Sequence, residues 1–102
     1  MPEAQIPRTL PPFPLTDKET AFIKSAVERF YGEDAIVRNF GPDPNRVQIH
    51  VETNREADDR NRYDCLGVLL CKIDRPIDLT VTKRGGRIGG FARVAYRQGV
   101  II

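Results

Sequence analysis

The chain has one histidine, one serine and two cysteines, and each scarcity removes a class of chemistry. With His50 as the sole histidine, a multi-histidine metal site is excluded. The sole serine, Ser25, falls on a predicted helix and belongs to no nucleophile–base motif. Cys65 and Cys71 lack the Cys-x-x-Cys spacing of a zinc site. Six residues apart on a predicted helix, they point about 240° apart around the axis and lie about 9 Å apart along it. They cannot bridge in that geometry, so reduced, packed thiols are expected. No apolar run approaches the roughly 18 residues needed to cross a membrane. The N-terminus lacks the basic-then-apolar pattern of a secretory signal. The expectation is a cytoplasmic protein with no membrane partner.

Negative charge is missing from one end. All 14 acidic residues lie at or before Asp78, and Lys83, Arg84, Arg87, Arg93 and Arg97 follow with no acid among them. Net charge is only +2, so the asymmetry carries more information than the total. The basic end either folds back against the acidic first part or meets phosphate or an acidic partner.

What is present is an ordinary globular composition in 102 residues, enough for one domain with a single modest core. The organising stretch is Arg46-Val47-Gln48-Ile49-His50-Val51-Glu52. Apolar and polar residues alternate at period two, the signature of a half-buried strand. Val47, Ile49 and Val51 share one face, and Arg46, Gln48, His50 and Glu52 share the other. The polar face is the natural floor of a site.

Residues 1–15 hold five of the eight prolines and are read as an extended arm, with 16–102 forming the domain. Thr16 and Glu19 have capping-box spacing. Phe22, Ile23, Ala26, Val27 and Phe30 recur at helical spacing, and Gly32 is a natural stop. Residues 35–40 read as a strand, and the turn residues 41–45 lead into 46–52 as an antiparallel hairpin. Thr53 and Glu56 have the spacing of a second capping box, predicting a helix to about residue 72. Its apolar face is expected to carry Tyr63, Leu66, Gly67, Leu70 and Ile73. The charged residues of its first turns, among them Arg55, Asp58 and Arg62, read as a solvated surface.

Residues 77–83 alternate again, with Ile77, Leu79 and Val81 inward. A glycine-rich connection follows, without the order of a Walker A or dinucleotide loop. Residues 91–102 read as a final strand interrupted at Gly99, with a short helix over 93–97 as the competing reading. The predicted order is α-β-β-α-β-β. This is an α/β (α+β) fold with a small mixed sheet of about four strands and helices mainly on one face. A right-handed crossover places 46–52 and 77–83 parallel.

Several phrases resemble the minimal nucleotidyltransferase domain of the DNA polymerase β-like superfamily. Val37-Arg38-Asn39-Phe40-Gly41 is similar to the family's first strand, which ends in Phe-Gly-Ser. Residues 46–52 resemble the second strand, which bears Asp-x-Asp, and Pro76-Ile77-Asp78-Leu79-Thr80-Val81 the third, which bears one further Asp. Arg97-Gln98-Gly99-Val100-Ile101 resembles the closing phrase of short members. The resemblance implies three carboxylates holding divalent metal against nucleotide phosphates. Arg46 and Gln48 stand at the first two positions and only Asp78 remains. Pro42 replaces the serine after the glycine. The implied protein is a catalytically inactive or repurposed copy.

Three functional readings follow. The first is a binding or interaction module without transferase activity and without a cofactor. Its partner is another protein or a second copy, engaged through the apolar edge Val100, Ile101 and Ile102. The second is nucleic-acid binding through Lys83, Arg84, Arg87, Arg93 and Arg97, interleaved with Phe91 and Tyr96. The third is a small metal-dependent enzyme using His50, Glu52 and Asp78, with Gln48 completing a polar site. His50-x-Glu52 also resembles half of a zinc deaminase motif, but the required Pro-Cys-x-x-Cys is absent.

Overall fold

The computed structural model describes residues 11–102; most of the expected proline-rich arm, residues 1–10, lies outside the described residues. The elements are α1 (Asp17–Tyr31), β1 (Ile36–Asn39), β2 (Val47–Thr53), α2 (Asp59–Leu70), β3 (Ile77–Lys83), α3 (Gly90–Gln98) and β4 (Val100–Ile101). They build one four-stranded mixed sheet of order β3-β2-β1-β4. The expected α+β class holds. No helix among the described residues is long and apolar enough to cross a membrane.

Local signals set α1. Thr16 Oγ1 accepts the Glu19 backbone N–H, and the Glu19 carboxylate accepts the Thr16 N–H. The capping box therefore closes in both directions. Gly32 ends the helix at φ 93°, a left-handed value that a Cβ disfavours, and donates its N–H to the Glu28 carbonyl. The hairpin forms as expected, with β1 antiparallel to β2 and Arg38 opposite His50. β2 runs parallel to β3, with Gln48 beside Asp78, His50 beside Thr80 and Glu52 beside Thr82.

The alternation in β2 places Val47, Ile49 and Val51 under α1 and α2, in a core shared with Ile23, Leu69 and Leu79. α2 departs from expectation in two ways. It begins at Asp59, with the Asp58 carboxylate accepting the Asn61 N–H at 2.8 Å. The second capping box at Thr53 and Glu56 does not form because Thr53 belongs to the buried end of β2. Its hydroxyl donates to the Tyr31 carbonyl and accepts the Arg55 N–H, both at 3.0 Å.

The buried stripe of α2 is Cys65 and Leu69, continued by Ile73 beyond the helix, whereas Tyr63 and Leu70 are exposed. A free cysteine packs as a small hydrophobe, which turns the helix away from the face expected from its larger apolar residues. Cys65 is packed as expected; Cys71, at the end of the helix, is exposed instead.

The last segment is the other correction. Residues 91–98 are helical, and the final strand shrinks to Val100–Ile101, paired with β1 through Arg38 and Asn39. The order is α-β-β-α-β-α-β. α3 buries Ala92 and Ala95, three residues apart, against the sheet. Small side chains at that spacing suit a helix lying close to its neighbour and would not form a strand's alternating apolar row. At Gly99, where α3 gives way to β4, a Cβ would come within 2.4 Å of the Ala95 carbonyl, so the junction requires glycine. Two helices cover one face, and α3 packs on the opposite one.

At the start of the described chain, Phe13 donates its N–H to the Gly41 carbonyl at 2.8 Å and accepts from the Asn39 side-chain amide at 2.9 Å. This end of the arm is tied to the rim of the hairpin.

Candidate functional site

The polar face of the sheet carries the sequence-predicted residues in three successive rows: Gln48 with Asp78, His50 with Thr80, and Glu52 with Thr82. α3 lies across them and divides them into two ends and a sealed middle.

His50 occupies the middle and is 0% exposed. Its Nδ1 is hydrogen-bonded to Thr80 Oγ1 at 2.7 Å, and its ring meets the Tyr96 ring edge-on at 5.4 Å. Nε2 is buried without a partner among the described residues. Burial, with the Arg38 charge adding to it and Glu52 partly opposing it, lowers the His50 pKa to about 4. His50 is therefore neutral at physiological pH.

At one end Glu52 accepts from Arg38 at 3.0 Å and from Arg84 at 3.2 Å. The hydrogen bond from Arg38 is the chief cause holding the Glu52 carboxyl below the usual range, with Arg84 adding to it. Arg38 also places its guanidinium 4.5 Å from the centre of the Tyr96 ring. Its ion pair with Glu52 ties β1 to β2 within the sheet, and its ring contact holds α3 against them. At the other end Asp78 accepts from Arg46 at 3.0 Å and from Gln48 at 3.3 Å.

The structure thus separates the residues of the metal-enzyme reading. His50, Glu52 and Asp78 lie on different rows, and both carboxylates are engaged by cationic or amide donors. Among the described residues, no group of three or more His, Cys, Asp and Glu side chains is placed to hold a metal ion. The buried Cys65 is no nucleophile either, since burial raises its thiol pKa to about 11.

The basic stretch divides as well. Lys83 pairs with Glu56 at 2.7 Å, and Arg84 bonds Glu52 and the Asp34 carbonyl. These two fold back on the earlier part of the chain. Arg87, Arg93 and Arg97 are exposed and form no salt bridge among the described residues. Ile88, Arg93, Tyr96 and Arg97 line an open cavity of about 460 Å³. A second of about 330 Å³ shares Ile88 and Tyr96 with it and reaches Glu52, Arg84, Gly85 and Gly86.

Sequence reasoning overlooked Arg38, Thr80 and Tyr96 as partners of the polar face. Arg38 was within reach: counting the hairpin register back from the 41–45 turn puts it on the same face as His50 and Glu52. Tyr96 was not, because its place depends on α3 packing across the sheet.

No family model, curated protein or solved structure matches the chain.

Proposed function

We propose that the protein is a binding module on a nucleotidyltransferase-like scaffold from which the transferase chemistry has been lost. One observation carries this reading: the single remaining carboxylate, Asp78, is bonded to Arg46 and Gln48, the residues standing where two further carboxylates are required. A hard divalent cation needs anionic oxygen ligands. Here an arginine guanidinium occupies that role opposite Asp78 and repels such an ion. The helix, hairpin, helix and parallel third strand support the scaffold assignment.

Incubation with labelled ATP and magnesium or manganese is expected to transfer no nucleotide to protein, RNA or small acceptors. Transfer abolished by Asp78→Ala would overturn the reading.

A second reading is favoured by the edge strand. Val100 and Ile101 are 53% and 61% exposed at the end of the sheet, and an open apolar edge invites strand pairing. Self-association through β4 predicts a dimer in sedimentation velocity that dissociates in Ile101→Lys. A single 11.6 kDa species at high protein concentration would remove it.

A further inference from the structure

We infer that the groove between the 84–90 loop and α3 binds single-stranded nucleic acid. The inference rests on the binding-module reading and names its ligand.

Charge supplies the first argument. α3 has no acidic residue in its first turn, and no acid follows Asp78 anywhere in the chain. Arg87, Arg93 and Arg97 are exposed without internal ion pairs among the described residues. Arg93 and Arg97, one helical turn apart, line the groove; guanidiniums so placed are complementary to a phosphate backbone and recognise phosphate through planar, two-pronged hydrogen bonding. Glu52 is the one carboxylate lining the groove among the described residues. Its charge is offset by Arg38 and Arg84, so it leaves Arg93 and Arg97 to the ligand.

Shape supplies the second argument and selects single strands. The two cavities share Ile88 and Tyr96 in their linings, which sets an open apolar and aromatic floor beside Arg93 and Arg97. A base with a free face can lie on such a floor while its phosphates meet the rim. In a duplex the base faces are stacked on one another and are not free to meet the floor. Gly85 and Gly86 line the far end without side chains to fill it. The floor is also firm: the Arg38 guanidinium lies over one face of the Tyr96 ring, and His50 meets that ring edge-on.

The test is fluorescence anisotropy of the full chain with a labelled 12-nucleotide single strand of mixed sequence, as DNA and as RNA, beside the matching duplex. Phosphate contacts from Arg93 and Arg97 give a log–log salt slope of about −1.4 for a single strand. Affinity is then expected to fall about sevenfold between 50 and 200 mM salt. The double variant Arg93→Glu/Arg97→Glu is expected to lose at least tenfold. Lys18→Glu/Lys24→Glu changes net charge equally on α1, at exposed positions beyond the other sheet face, and is expected to bind as the wild type does.

Absence of binding at 25 mM salt, equal losses in both double variants, or tighter binding of the duplex would each overturn the inference. These failures are separable from failure of the binding-module reading, which the nucleotide-transfer assay decides alone. A chain that neither transfers nucleotide nor binds oligonucleotide keeps the module and loses this ligand.

Discussion

Stability is expected to fall by about 3 kcal/mol between pH 6.5 and pH 4, and His50 is the cause. In the fold its pKa is lowered from 6.5 to about 4, first by burial and then by the Arg38 charge. The unfolded chain therefore binds the proton more readily, and stability rises with pH across this window. The contribution is fully present above 6.5 and is lost as pH falls through the folded value, at about 1.4 kcal/mol per unit of difference. Protonation would place a second cation beside Arg38 and a proton on Nε2, which has no acceptor among the described residues. Lifting α3 to admit water is the direct relief.

Urea unfolding at several pH values measures the slope, and His50→Leu is expected to flatten it. The chain has no tryptophan and three tyrosines, so tyrosine fluorescence follows unfolding, with Tyr96 lying against the His50 ring as one of its sources. Stability that stays constant from pH 7 to 4.5 would sink the assignment of His50 as a buried neutral group.

Ile49→Ala is expected to cost about 3–4 kcal/mol, the range for deleting a large aliphatic side chain from a core that relaxes only in part. Ile49 is fully buried in the second strand of the sheet, beneath α1 and α2. Against a total of about 5–10 kcal/mol for a domain of this size, that removes a large share of stability. The melting temperature should drop by more than 10 °C, at about 4–8 °C per kcal/mol. Ile101→Ala, on the exposed edge strand, should stay within about 0.5 kcal/mol. A cost below 1 kcal/mol at Ile49, measured by the same denaturant titration, would show that the two-helix face is not the core.

Much of the fold was legible because its causes are local. The two halves of the Thr16 cap lie three residues apart, and the turn between β1 and β2 is dense in proline, aspartate and asparagine. α2 was less legible. Its cap competes with Thr53, whose hydroxyl is taken by the distant Tyr31 carbonyl, and its buried stripe runs through a cysteine. The four residues of the candidate polar site did share one face, as the alternation required, but alternation is silent about what covers a face. α3 covers this one, sealing His50 and leaving Glu52 and Asp78 at opposite ends.

The sequence by itself determined the period-two pattern of 46–52 and 77–83, the first helix and the confinement of unopposed positive charge to the last quarter of the chain. Each depends on neighbours within a few residues, where backbone geometry dictates which side chains share a side. Only the tertiary structure decided that Arg46 and Gln48 meet Asp78, that Arg38 clamps Tyr96, and that Arg93 and Arg97 line a groove without an ion pair among the described residues. Those contacts join residues up to 58 positions apart, brought together by strand register and helix packing.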